Sequence, residues 1–104
     1  MRAYKLVRKM KDGSLSSLFI NKTCRLPIGE YIQAQNNPTK GFAVRQGWHC
    51  TVKPHAPHLV MNPKGDVPRV WVEVDVIDYE FFTRPVSQGG TWVLAQHMKI
   101  IKEI

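Results

Sequence analysis

The chain has 104 residues, 43% of them hydrophobic and 22% charged, and a formal net charge of +7. That length suits one domain and excludes two independent cores, while the apolar content excludes wholesale disorder. No apolar run approaches the ~20 residues needed to span a bilayer, and residues 1–10 alternate charged and apolar groups without a signal-peptide core, so the sequence predicts a protein of the cytoplasm, with no membrane partner.

The charge is unevenly placed. Residues 1–64 carry eleven Lys or Arg against Asp12 and Glu30, or +9, and residues 65–104 carry four against six, or −2. A basic half of this kind favours a polyanion, a nucleotide or an acidic protein surface without choosing among them, because long-range charge governs association more than identity. Cys24 and Cys50 are the only cysteines and read as reduced thiols.

Along the chain, Tyr4, Leu6 and Arg8 alternate with Lys5, Val7 and Lys9, and Asp12-Gly13 follows, which predicts a strand entering a hairpin turn with Ser14–Ile20 returning. Ile28, Tyr31 and Ile32, bounded by Pro27 and Gly29, suggest a brief strand, and Asn36-Asn37-Pro38 a turn. Phe42–Val44 and Trp48–Val52 read as a strand pair or one bent strand. Pro54 and Pro57 make the next stretch irregular, with room for one helical turn at His55–Leu59, and Pro63–Asp66 is a turn. Val70, Val72, Val74 and Val76 alternate with Trp71, Glu73, Asp75 and Ile77, the strongest period-2 segment in the chain and hence a central strand. Tyr79–Thr83 continues as a short aromatic strand and Ser87–Gly90 is a loop. Thr91–Ile104 fits either helix or strand; its Trp, Val, Ile and Thr content and the lack of an N-cap side chain at Gly89-Gly90 favour strand. The expected fold is α+β and mostly β, a single compact domain (residues 1–104) of antiparallel strands with at most one or two short helical segments.

Chemistry-bearing residues concentrate at Gly47-Trp48-His49-Cys50-Thr51 and Pro54-His55-Ala56-Pro57-His58. Cys50, His55 and His58 with His49 or Cys24 are nominal zinc ligands, but their spacing matches no finger or ribbon, so no metal is expected. Cys50 needs a neighbouring base to act as a nucleophile, and its neighbour His49 points to the opposite face of a strand. Arg8, Arg25, Arg45, Arg69 and Arg84 are suited to phosphate, with Trp48, Tyr31 or Trp71 as stacking platforms, although no Gly-rich phosphate loop is present. Glu73 and Asp75 share one face of their strand, as a carboxylate pair doing acid-base work must.

Tyr4-Lys5, Gly47-Trp48-His49-Cys50, Pro54, His58, Arg69-Val70-Trp71-Val72-Glu73-Val74 and Met98-Lys99-Ile100 follow one another in an order that resembles a family of small phage and prophage proteins with a Gly-aromatic-His segment. The resemblance spans nearly the whole chain. More distantly, the layout is similar to the split β architecture of ADP-ribosyltransferases, which implies NAD as ligand and Arg8, Thr51 and Glu73 as counterparts of the residues that hold it. The chain is shorter than such enzymes and lacks their Ser-Thr-Ser motif.

The leading expectation is therefore an accessory protein of a phage or mobile element in a bacterial cytoplasm, non-catalytic, that binds a host protein or a nucleotide-like ligand through Arg45, Trp48, His49, Thr51, His55 and His58. An NAD- or nucleotide-acting enzyme, or its inactive relative, working through Arg8, His49 and Glu73 is the second reading. A basic nucleic-acid-binding module is the third.

Overall fold

In the computed structural model, residues 1–17, 25–34, 47–57, 59 and 61–104 are described. They form one sheet from β1 (Arg2–Lys9), β2 (Leu15–Ser16), β3 (Arg25–Leu26), β4 (Tyr31–Gln33), β5 (Trp48–Thr51), β6 (Arg69–Thr83) and β7 (Thr91–Glu103), joined by antiparallel pairings. The expected mostly β architecture is the one found. Helix is limited, among the described residues, to a single 3-10 turn at Val86–Gln88.

Two long strands organise the rest. β6 pairs with β7 along almost its whole length, and its first half pairs with β1 on the other edge, from Arg2 opposite Asp75 to Arg8 opposite Arg69. β5 lies against the free edge of β7 and touches β1 through the pair Tyr4–Thr51, so β1, β6, β7 and β5 close into a ring. β4 extends the same edge of β7 beside β5, and β2 and β3 extend β1.

The aliphatic face read from Val72, Val74 and Val76 is the inner wall of this ring, and all three are fully buried. They pack with Ala3, Val7, Cys50, Val93, Ala95, Met98 and Ile100. The terminal segment is a strand because its residues alternate into that core, whereas a helix would leave the second edge of β6 unpaired.

The two aromatic and aliphatic runs expected as separate strands are one element, β6, with a change of phase inside it. Inward residues are spaced by two up to Val76, then by three to Tyr79, which lies opposite the buried Ala95; on β7 the same step separates Ala95 from Met98. Asp78 sits at this step with φ 53°, a left-handed conformation that Asp tolerates better than most residues. A second irregularity lies between Glu73 and Val74, where pairing moves from Lys102 to Ile100 and Ile101 becomes the extra residue of a bulge.

Of the turns, Asp12-Gly13 closes β1 to β2 as expected: Gly13 N–H donates to Met10 at 2.9 Å and the Asp12 carboxylate accepts Ser14 N–H at 3.0 Å. The irregular stretch at 55–59 holds one turn, with Leu59 N–H donating to the Ala56 carbonyl. The expected turn at 36–38, the run at 42–44 and the end of the returning strand at 18–20 lie outside the described residues.

Val74 faces the ring interior, opposite the fully buried Ala3 on β1 and Ile100 on β7. Val74→Asp places an unpaired charge there and should cost several kcal/mol, giving insoluble or unfolded protein. Circular dichroism melting of the variant at the wild-type temperature would show that this wall is not the core.

Candidate ligand-binding site

β5 sorts the Trp48–Thr51 motif onto two faces. Trp48 and Cys50 turn inward: the Trp48 indole N–H donates to the Ile32 carbonyl at 3.0 Å, and Cys50 is fully buried. Burial pushes the Cys50 thiol up to about 11, with the neighbouring Lys5 cation pulling the other way, so the thiol is protonated and inert at neutral pH. His49 and Thr51 turn outward, because alternation leaves them no other side.

Lys5 stands on the inner face of β1, between the fully buried Ala3 and Val7. Its ammonium donates to the His49 carbonyl at 2.9 Å and lies 5.9 Å from the centre of the Trp48 ring. No carboxylate joins it in an ion pair among the described residues, and burial lowers its pKa from the ordinary lysine value. One residue away on the chain, the Tyr4 carbonyl is 3.3 Å from the Thr51 hydroxyl, which also reaches the Lys53 carbonyl. Thr51 is 2% exposed, so its hydroxyl serves the junction of β5 with β1.

The outer face of β5, β7 and β6 carries a cluster that sequence order hides. Pairing sets Thr51 opposite Trp92, Trp92 opposite Phe82, and His49 opposite Leu94. The His49 ring meets Phe82 edge-on at 5.8 Å, and Phe82 lies 6.3 Å from Trp92. Over this pair sits Arg84, its guanidinium 5.4 Å from the Phe82 ring centre and 5.1 Å from that of Trp92. Gln88 completes the frame: its carbonyl accepts the Trp92 indole N–H at 2.7 Å and its side-chain oxygen accepts from Arg84 at 3.4 Å. Gly89, with φ 98°, lets the loop close here, since a Cβ at that position would stand 3.0 Å from the His55 carbonyl and 3.2 Å from the Trp92 indole nitrogen.

Two ring faces and the Gln88 side chain hold the guanidinium in place, and the N–H groups not given to Gln88 suit recognition of phosphate or carboxylate. Among the described residues Arg84 forms no ion pair, whereas Arg8 pairs with Asp66 at 2.5 Å and Glu73 lies between Arg2 at 3.7 Å and Lys102 at 3.9 Å.

The structure does not gather the other sequence candidates at this cluster. Arg8 lies opposite Arg69 and Glu73 opposite Tyr4, four positions apart on the same ladder, or roughly 13 Å. Asp75, the second carboxylate of the expected pair, accepts from the Tyr31 hydroxyl and from the terminal amine at 3.3 Å; these contacts lower its pKa. Tyr31 is thereby tied into the sheet, with Lys99 4.8 Å above its ring. Trp71 is half-buried beside Leu6 and Arg25 is exposed on β3. His55 is exposed in the loop after β5, and Arg45, His58 and Cys24 lie outside the described residues. Among those described, no three His, Cys, Asp or Glu side chains group as a metal site, and no helix is long and apolar enough to cross a membrane. Gly47 approaches β7 itself: a Cβ there would lie 2.5 Å from Leu94 Cδ1.

Phe82 and Trp92 in this cluster, and Lys5 on the inner face, are the residues that motif reading passes over; Arg84 is read there as suited to phosphate, without these neighbours. Hairpin arithmetic across residues 84–90 contains the one available signal, since it sets 82 against 92. No protein-family model, curated protein or solved structure matches the chain.

The half-buried Lys5 cation sets a pH dependence. Its folded pKa is lowered, so between that value and the ordinary lysine value of about 10.4 the unfolded chain binds more protons and stability rises with pH. In a Cys50→Ala background, which removes the thiol coupled to Lys5, the chain should therefore gain stability relative to its Lys5→Met variant as pH is raised from neutral toward 10, read by urea unfolding at each pH. A difference that stays flat would place the ammonium in water.

Proposed function

We propose that the chain is a non-catalytic binding module whose ligand is nucleotide-like, carrying phosphate and an aromatic base, and that it takes this ligand on the outer face of β5, β7 and β6. The observation that carries the reading is Arg84, stacked over Phe82 and Trp92 with His49 at their edge and no carboxylate paired to it among the described residues. Phosphate meets the N–H edge of the guanidinium, and the base packs along the half-buried rim of Phe82 and His49. The net charge of +7 draws such anions in.

A binding role is favoured over the NAD-acting enzyme by what Arg8, Thr51 and Glu73 already do: an ion pair, a strand junction and a pair of surface contacts. The resemblance to phage and prophage proteins supports an accessory role in a bacterial host, in which the ligand or a host protein is the target.

Titration of AMP, NAD and a short single-stranded oligonucleotide at about 50 mM salt tests the proposal through tryptophan fluorescence, since Trp92 lies directly under Arg84. Saturable quenching is expected. Arg84→Ala should weaken it about tenfold or more, equivalent to ~1.4 kcal/mol, with the melting temperature nearly unchanged. Binding of the oligonucleotide alone, with a steep salt dependence, would move the protein to the nucleic-acid class, and no saturable response to any of the three would end the reading.

A further inference from the structure

Among the described residues, the second half of β6 has one partner strand. From Arg69 to Asp75 its outer edge is covered by β1, and the Met1 carbonyl takes the Val76 N–H at 2.8 Å. From Ile77 to Thr83 the strand pairs with β7 alone among the described residues. The Arg84 N–H donates to the Gly90 carbonyl at 2.7 Å, so alternation turns the backbone groups of Phe82 and Glu80 toward β7 and those of Tyr79, Phe81 and Thr83 toward the open edge.

That edge is apolar. Tyr79 and Phe81 are 41% and 57% exposed and meet edge-on at 5.7 Å. Residues 79–83 contain no Lys, no Pro and no bulge, the usual devices that stop a strand edge from pairing with another chain. We propose that it is an interface, and that a second copy of this chain occupies it by antiparallel pairing of residues 79–83 about a two-fold axis at Phe81.

Charge and the position of Pro85 select the register. Outward-facing residues must pair with outward-facing residues, so a two-fold axis can centre on any of residues 79–83; centring on Phe82 or Thr83 sets Pro85, which has no N–H to donate, against Tyr79 or Phe81. Centring on Tyr79 sets Asp78 against Glu80 twice, and centring on Glu80 sets Glu80 against itself. Centring on Phe81 opposes Phe81 to Phe81, Tyr79 to Thr83, Glu80 to Phe82 and Asp78 to Arg84, so no carboxylates face each other and the stretch ends on complementary charges. The Asp78 carboxylate is 70% exposed and 3.4 Å from His97, which leaves it open to a second cation. The length also fits: the added strand ends at Arg84-Pro85, where the terminus of β1 resumes the edge. The dimer stands independently of the proposed ligand, but both use Arg84, so phosphate bound there weakens the dimer.

Sedimentation velocity over a micromolar to millimolar series tests the interface. Wild type should shift from monomer to dimer with concentration, and Phe81→Lys should remain monomeric with an unchanged melting temperature. Cα atoms of a hydrogen-bonded antiparallel pair lie ~5.5 Å apart, within disulfide reach. Phe81→Cys should thus oxidise to a dimer joined through residue 81 by peptide mapping, and Glu80→Cys should not. A wild type that is monomeric throughout, or a Phe81→Lys variant that still dimerises, overturns the interface; cross-linking through residue 80 overturns the register.

Discussion

Closure of the ring at the β1–β5 seam is the constraint on which the other features depend. The two strands share the single register pair Tyr4–Thr51, so the seam is made largely by side chains: the Thr51 hydroxyl at the Tyr4 carbonyl and the Lys5 ammonium at the His49 carbonyl. A cation on the core face between Ala3 and Val7 is expensive to desolvate, and the lowered pKa of Lys5 reports that expense. Its return is a bond to β5 backbone at a place where regular strand pairing runs out. Without the seam, Cys50, Val93 and Ala95 would lose one wall of the enclosure that buries them completely.

Closure also explains the change of phase in the long hairpin. A sheet that returns on itself within four strands must coil sharply, and β6 and β7 both do so at the same level, around Asp78 and Gln96–His97. The left-handed φ at Asp78 costs of order 1–2 kcal/mol for a residue with a Cβ, offset by the continuous pairing it permits on both sides. The two halves of the hairpin exchange faces as a result. Phe82 and Trp92, which unbroken alternation from Val76 would have sent inward, come out beside His49, while Tyr79 and Phe81 take the core side at a point where the strand has already run past the cover of β1.

This geometry separates what could be read in the sequence from what could not. Val70 to Val76 announced its strand because one aliphatic face and one polar face repeat at period two, and Asp12-Gly13 announced its turn through local dihedral preference; both are properties of neighbouring residues. The merging of Val76 and Tyr79 into one strand hinged on a single residue, Asp78, that reads as an ordinary interruption. Lys5 was legible only as one member of an alternation whose inner side was undecided, since Leu6 and Val7 compete for it. Thr51 and Trp48 stood out by type as binding residues, yet the hydroxyl holds the seam and the indole N–H is bound to Ile32. His49 was found by its motif, whereas Phe82, Trp92 and Arg84 join it through strand pairing and loop closure, which no local pattern encodes.

The hairpin end then places two different demands on one residue. Arg84 is the last residue before the Pro85 turn, so its backbone closes the ladder to Gly90 while its side chain folds back over Phe82 and Trp92. Stacking removes one source of entropy cost for any contact its N–H edge makes, whether that contact is an anion in solution or the carboxylate of another chain at the open edge of β6. A lysine in the same place would keep the charge but not the planar fork of N–H groups. The uneven charge of the chain has the same sense: the basic first 64 residues supply the field, and the acidic remainder, with Asp78 and Glu80 on the exposed strand, supplies the carboxylates against which a neighbouring Arg84 can register.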